Sequence, residues 1–485
     1  MLTIKKGEIG FKHLPFFPVL AGIIIISTCI FIKIYFVAVS LSLCVYLFSF
    51  YIIYLSTRTL SLITPPYLYY FFYTMYFYIW AVLIFLKEES YSIGEVVIKG
   101  EGYDLLFSAT VGILSFSLGV LLSSAASRFR PSIELSLFRQ KKWIDNLKGT
   151  SFSIAMLCLV IVGLSLALIF FSTRGIPILA YDSSLRSSHF FGELAEARIQ
   201  AQWGAGYFMQ GITLILPFCA LVLYAKGLVI SRRVWKFWAF IITILTIVMM
   251  IALSSRGHFA IFLVLLLLLH QLYAKKIDLG KALFIIIIFI VLFLMVSIFR
   301  MGYFLKFDDL RDIISSISDI FIYRLSMGTQ QFHAILQIFP KDHYFLMGRS
   351  YLWDIISFLP GPDLGLNGWL FTLIYPLGIE GSAVTPLSLG EFYVNFGWLG
   401  IILGSALLGA FLQKLYIYFI RSEGNMSTLV VFVVITSYLA KSSMNGIGAM
   451  IEPILSMSVS YFFLIFVYKL LVIVSHVDSG FGKNR

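Results

Sequence analysis

The sequence predicts an all-α polytopic membrane protein with about twelve transmembrane helices. Three observations carry that expectation. Of 485 residues, 60% are hydrophobic and only 12% are charged, whereas a soluble domain carries about 25% charged residues. The apolar residues gather in runs of about 20, the length that crosses a bilayer as a helix. Lysine and arginine are spread unevenly between the connections, which is the signature of membrane topology.

Taken in order, the apolar runs lie near residues 14–32, 36–55, 67–87, 104–125, 151–172, 207–225, 237–253, 258–274, 282–299, 394–413, 427–440 and 454–474. Only Lys33 separates the first two, and only SSRGH separates the seventh from the eighth. Both pairs read as tight helical hairpins. Between the ninth and tenth runs, residues 300–395 are too polar to cross a bilayer and too long for an ordinary connection. This stretch reads as a long, partly helical extracytoplasmic loop, punctuated by the turn-rich FLPGPDLGLNG and GIEGSAVTPLSLGE. A second extracytoplasmic loop is expected at 173–206, and the whole of 1–485 forms a single integral membrane domain. The opening MLTIKKGEIGFKH leads into an apolar run without a small-x-small cleavage site, so the first helix is expected to stay as an anchor.

Strict alternation of the spans puts most of the 36 Lys and Arg on one side. That side holds Lys5, Lys6, Lys12, Arg58, the basic loops at 128–148 and 226–236, Lys275, Lys276, Lys281, Lys414, Arg421, Lys469, Lys483 and Arg485. The positive-inside rule makes it the cytoplasmic side, with both termini there. The net charge of +12 is therefore read as topology, and no nucleic-acid partner is expected. Most of the remaining cations fall in the 174–198 segment, at Arg256, and in the 300–395 loop. Positive charge kept outside against the insertion bias points to an anionic ligand. Cys29, Cys44, Cys158 and Cys219 all lie in apolar runs without CxxC or Cys/His spacing, so neither a disulfide framework nor a metal site is indicated. Walker, HExxH and GxSxG motifs are absent, which disfavours nucleotide-driven transport, and no cofactor is expected.

Candidate residues follow from these outer segments. STRGIPILAYDSSLRSSHFFGELAEARIQ carries Arg174, Arg186 and Arg198, and its part from 188 to 200 fits an amphipathic interfacial helix. A guanidinium offers a rigid fork of donors suited to phosphate oxygens, in a ligand or in a lipid headgroup. Arg256 sits at the hairpin turn LSSRGHF, where a charge so near hydrocarbon is functional or paired; His258 beside it reads as a helix-end polar residue. In DIFIYRLSMGTQQFHAILQIF the apolar residues recur at helical spacing, and Arg324 and Gln331 fall on one face. His333 lies off that face, either as a core histidine or as a catalytic group. Arg349, Asp354 and Asp363 surround FLPGPD, where Asp363 suits a cap. Glu391, in TPLSLGEFYVNFGWLG, is either a partly buried general base or the partner of a loop arginine. Lys441 and Glu452 flank an outer turn in AKSSMNGIGAMIEP, and Lys441 would add a positive charge to the same pocket.

Over roughly residues 150–450, the order of an arginine-bearing loop, a hairpin at SSRGHF, a long outer loop and TPLSLGEFYVNFGWLGIILGSALLG resembles the Wzy-type polymerases of bacterial O-antigen and related surface polysaccharides. The resemblance implies a metal-independent, cofactor-free glycosyltransferase of the membrane-embedded GT-C type. It would work on the periplasmic or outer face of the bacterial cytoplasmic (inner) membrane. Donor and acceptor would be undecaprenyl-pyrophosphate-linked oligosaccharides, the growing glycan passing to the non-reducing end of a new repeat unit. In that reading Arg174, Arg256 and Arg324, with Arg186, Arg349 and Lys441, hold the pyrophosphate, and Glu391 or His333 takes the proton of the attacking hydroxyl. The bilayer, a chain-length regulator and a flippase would be its partners. The competing readings are an O-antigen ligase or other GT-C transferase, and a lipid-linked oligosaccharide flippase or transporter.

Overall fold

The computed structural model describes residues 34–58, 64–87, 91–93, 96–98, 102–131, 133–134, 144–145, 147, 149–174, 176, 205–253, 256–274, 325–356, 365–376, 384–422 and 424–481. These form α1 (Ile34–Thr57), α2 (Pro65–Tyr73), α3 (Ile79–Lys87), a small antiparallel hairpin of β1 (Tyr91–Ile93) and β2 (Val96–Ile98), then α4 (Tyr103–Ala126) and α5 (Gly149–Arg174). After them come α6 (Ala205–Gln210), α7 (Leu216–Ile230), α8 (Arg233–Ala252), α9 (Arg256–Ala274), α10 (Arg349–Ile356), α11 (Leu366–Ile374), α12 (Leu387–Arg421), α13 (Met426–Asn445) and α14 (Gly448–Phe481). One π-helical turn, Thr74–Tyr78, joins α2 to α3, and another, Gly211–Ile215, joins α6 to α7. Among the described residues nine helical stretches are long and apolar enough to cross a membrane, and α9 supplies a shorter apolar one. The protein is thus an almost entirely helical, multi-pass membrane protein. The spans expected at 14–32 and 282–299 lie outside the described residues.

The helices alternate in direction, and contacts between distant segments define the two ends. At one end the α12–α13 connection meets the α4–α5 connection: Ile144 N–H donates to Gly424 O at 2.7 Å and Met426 N–H to Ile144 O at 3.1 Å. Arg421 closes this end by donating to both oxygens of Glu134, at 2.8 and 2.9 Å, and to Ser127 O at 3.1 Å. Lys226 does the same deeper in, its buried ammonium donating to Leu147 O and lying 3.5 Å from Asp145. The Phe152 and Trp235 rings cover that ammonium at 3.6 and 4.7 Å. A desolvated lysine needs such company, because an isolated buried charge is costly.

Along the bundle axis, α4 and α12 form a close seam, and glycine permits it. A Cβ on Gly119 would fall 1.9 Å from Ala406 O, and one on Gly409 would fall 2.1 Å from Phe116 O. Without a hydrophobic drive between helices in lipid, such close backbone approach supplies the packing. The helix 325–338 packs against this core instead of covering it. Thr329, Gln331, Phe332, His333, Ala334 and Ile335 are all buried, Thr329 Oγ1 donates to Tyr76 O at 2.9 Å, and Phe332 meets Phe77 edge-on at 5.4 Å. Thr329 and Gln331 are satisfied inside the protein, so most of this helix is interior, with only Leu325, Met327, Gln330 and Gln337 partly exposed. α12 begins at Leu387, before the span expected at 394–413, and breaks at Gly397 with φ 61° and ψ −146°. The break frees carbonyls that a continuous helix would use, and the chain at 346–348 pairs with them. Leu346 N–H donates to Val394 O at 2.9 Å, Met347 N–H to Asn395 O at 3.0 Å and Gly348 N–H to Asn395 Oδ1 at 2.9 Å.

Candidate functional site at the α13–α14 turn

The opposite end of the bundle gathers around one turn. α13 stops at Asn445 and α14 starts at Gly448; between them Gly446 holds φ 88°, where a side chain is strained. Space forbids a side chain as well. A Cβ on Gly446 would lie 2.7 Å from Glu391 Oε2, and one on Gly448 would lie 1.7 Å from Asp354 Oδ2. Two carboxylates, from α12 and α10, therefore close on a three-residue turn.

The start of a helix presents N–H groups that lack intrahelical acceptors, with the positive end of the dipole behind them. Glu391 fills that vacancy at α14. Its carboxylate, 1% exposed, accepts from Ile447 N–H and, at 3.2 Å, from Gly448 N–H. Backbone donors thus satisfy Glu391, for which the sequence offered either the role of a general base or a loop arginine as partner. Asp354 caps a second helix: its Oδ1 accepts from Leu366 N–H of α11 at 3.0 Å. That role was expected of Asp363, which lies outside the described residues. The Tyr351 phenol, one turn earlier in α10, is held well above its ordinary range by burial, and further by the charges of Glu391 and Asp354. Asn395 ties α10 to α12, its amide donating to Ser350 Oγ at 2.6 Å and to Glu391 O at 2.8 Å.

Charged groups flank this turn on both sides. Lys441, in the last turns of α13, is partly buried and bears electrostatically on His258 in the first turn of α9. Among the described residues the Lys441 ammonium has neither an ion pair nor a hydrogen bond. On the α14 side, Glu452 Oε1 accepts from Gln210 Nε2 at 3.1 Å, and Gln210 Oε1 accepts from Ser456 Oγ at 3.3 Å. Glu452 is exposed and close enough to bear on the buried Tyr438 phenol.

The backbone brings further cations to this end. α5 starts near Lys226, where Phe152 lies, and its 26 residues extend to Arg174 at the other end. Arg256 is the first residue of α9, at the tight α8–α9 hairpin, and Arg349, exposed, is the first of α10. Arg186, Arg198 and Arg324 lie outside the described residues, so the expected Arg324–Gln331 face cannot be drawn. Gln331 is turned to an internal task, its Oε1 accepting from both Thr385 N–H and Thr385 Oγ1 at 2.9 Å. His333 is 2% exposed inside the 325–338 helix, and burial holds its imidazole down at about 4, neutral at pH 7. Its position is that of a core histidine.

Sequence reasoning placed Glu391, Lys441, Glu452 and Arg256 around outer turns, and the structure brings their segments to one end. It missed Gln210, Ser456 and Tyr351. A lone amide in the apolar run YFMQGITLI was the one signal available for Gln210, since polar side chains in membrane helices usually bond across to another helix. Comparison of the chain with protein-family models, with curated proteins and with solved structures gives no match.

Proposed function

We propose that this protein is a polymerase of bacterial surface polysaccharide, O-antigen or similar. It transfers a growing glycan from undecaprenyl pyrophosphate onto the non-reducing end of a new lipid-linked repeat unit. The observation that carries the reading is Lys441, a partly buried ammonium without a counter-ion among the described residues, in the same end of the bundle as the backbones of Arg174, Arg256 and Arg349. A charge in such a place is costly to bury, and an anionic ligand lowers the cost. A pyrophosphate that joins a polyprenyl chain to a glycan suits a site at the mouth of a helical bundle. The resemblance of SSRGHF and TPLSLGEFYVNFGWLG to the Wzy-type polymerases selects the reaction.

In this reading the fold is GT-C-like and sits in the bacterial cytoplasmic membrane. The Arg421 end, with Arg58, Arg128, Arg130, Arg232 and Arg233, faces the cytoplasm, and the Lys441 end faces outward. Arg174, Arg256, Arg324 and Lys441, with Arg186 and Arg349 at the approach, hold the pyrophosphate and stabilise the charge that develops on it as it leaves. Glu391 fixes the turn that carries Lys441 on one flank and so serves as a positioning residue. Lipid tails occupy the apolar faces of the bundle, and a flippase and a chain-length regulator act before and after the reaction.

The test is deletion of the gene in its host, with surface polysaccharide resolved on a gel beside a strain complemented by the wild-type chain. A ladder that collapses to one repeat unit and returns on complementation is the expected result. Long chains retained on the lipid carrier would instead make the protein a ligase, and loss of even the single outward repeat would make it a flippase.

A further inference from the structure

We infer that Glu452 is the general base of the transfer, with Gln210 and Ser456 as its positioning residues; the inference rests on the polymerase reading. Three carboxylates surround the first turns of α14. Two of them are closed off. Glu391 is buried with its oxygens on the Ile447 and Gly448 N–H groups, and Asp354 has one oxygen on Leu366 N–H and the other against Gly448. A group that must approach a substrate hydroxyl to about 3 Å cannot be sealed in this way. Glu452, four residues after Gly448 on the same helix, is the exposed one.

Its geometry is set by a side-chain amide from another helix. Ser456 Oγ donates to Gln210 Oε1 at 3.3 Å, which fixes the amide so that its Nε2 donates to Glu452 Oε1 at 3.1 Å. The backbone under Gln210 is itself held. The π-helical turn begins at Gly211, where a Cβ would lie 2.6 Å from Gly163 O of α5 and 2.7 Å from Leu166 Cβ. A π-helical turn inserts one residue into the helical register, a device frequent at functional sites. Pro453, lacking N–H, leaves Ala449 C=O without its helical donor in the same turn of α14. The elements packed on this stretch of α14 present Tyr438 from α13, Asp354 from α10 and Glu391 from α12, and α5 and the π-helical turn with Gln210 pack there as well.

The step balances as follows. The acceptor hydroxyl gives its proton to the Glu452 carboxylate while its oxygen forms a bond to the anomeric carbon of the donor glycan. The bond from that carbon to the pyrophosphate oxygen breaks, and undecaprenyl pyrophosphate leaves with the electron pair. Proton abstraction by a positioned group contributes about 10²–10⁴-fold to such reactions.

The experiment uses the full chain in lipid nanodiscs with undecaprenyl-pyrophosphate-linked repeat units from the host, and follows elongation from pH 5 to 8.5. Undecaprenyl pyrophosphate alone is titrated in parallel as the binding probe. Glu452→Gln should lower the elongation rate by about 100-fold or more while affinity for undecaprenyl pyrophosphate and melting temperature stay at the wild-type values. Gln210→Leu should move the acid limb of the pH profile upward, because the carboxylate loses a donor that favours its charged form; a merely structural amide would leave that limb in place. Elongation by Glu452→Gln at near the wild-type rate would overturn the inference and leave the polymerase reading standing. So would a loss of rate matched by loss of lipid affinity and melting temperature. Failure of the wild-type chain to elongate, in a strain whose ladder also does not depend on the gene, would sink the polymerase reading itself.

Discussion

The two ends of the bundle handle charge in opposite ways. At the Arg421 end each described buried or bridging cation has an anion and a carbonyl: Arg421 has Glu134 and Ser127 O, and Lys226 has Asp145, Leu147 O and two aromatic faces. At the Lys441 end Glu391 and Asp354 are bound to backbone N–H groups, and the ammonium stands without a partner among the described residues. One end has paired Arg421 and Lys226 within the chain. The other holds Glu391 and Asp354 at helix termini, and its Lys441 has no partner among the described residues. The comparison separates a structural lysine from a ligand-binding one by partners and not by residue type, and substitution can test it directly.

The largest contrast is between the two lysines. Lys226→Ala strips the counter-charge from Asp145 and empties the space between Phe152 and Trp235, so it should cost about 3–5 kcal/mol, read as a lower melting temperature and less protein in the membrane. Lys441→Met should do the reverse. The melting temperature should hold or rise, because a partly buried charge without a partner among the described residues has gone, while chain extension is lost. Equal destabilisation by both substitutions would erase the distinction between the ends.

A second comparison sets the turn against the seam. Gly448→Ala would push a methyl group into the Asp354 carboxylate, 1.7 Å away, and should cost about 1–3 kcal/mol as overpacking. Because Asp354 and Glu391 share that turn, elongation should fall further than stability alone explains. Gly119→Ala meets the Ala406 carbonyl at 1.9 Å in the α4–α12 seam; it should lower stability by a similar amount and leave per-molecule activity unchanged. Activity per folded molecule, measured for both variants, sharpens or blunts the claim that the turn belongs to the site.

His333 tests whether the interior beside the site is sealed. Its imidazole is held at about 4 by burial, below the ordinary 6.5. The unfolded chain takes up a proton as pH drops through 6.5 and the folded chain does not, so this residue makes stability fall between pH 6.5 and about 4. The expected loss is roughly 2 kcal/mol from pH 6.5 to 5. The slope of melting temperature against pH should flatten in His333→Leu. An unchanged slope would mean that water or a ligand reaches the ring.

These contrasts also show which parts of the molecule could be read in advance. Helix spacing, the tight SSRGH hairpin and the shared end of Arg256, Glu391 and Lys441 follow from hydropathy and alternation, which act over 20 residues and need no knowledge of packing. The start of α12 does not. SLGEF looked too polar to be helical core because Glu391 has its donors 56 and 57 residues downstream, on Ile447 and Gly448. Every residue has an N–H group, so nothing in a sequence marks the one that binds a carboxylate. The burial of 325–338 was hidden for a similar reason: Thr329 and Gln331 are satisfied by Tyr76 O and Thr385, and polarity alone suggested an exposed face. The Gln210–Glu452 contact joins residues 242 apart. Two polar residues in separate apolar runs give no hint that they meet.

The smallest effect is expected at Arg421, and its size is the point. The guanidinium side chain is 47% exposed and that of Glu134 18%, so water screens the pair and Arg421→Ala should cost no more than about 1 kcal/mol. Hydrogen bonds from Arg421 hold the Glu134 carboxyl below its ordinary 4.5. The pair therefore contributes fully above that value, and its contribution disappears as pH falls below it. In Arg421→Ala the difference from wild type should be present at pH 7 and should shrink in acid, as melting curves at pH 7 and pH 3.5 would show. Elongation per folded molecule should not change, because Arg421 is already engaged by Glu134 and Ser127 O. A loss of activity there without a loss of stability would mean that the compensated end takes part in the reaction, and the division between the two ends would fail.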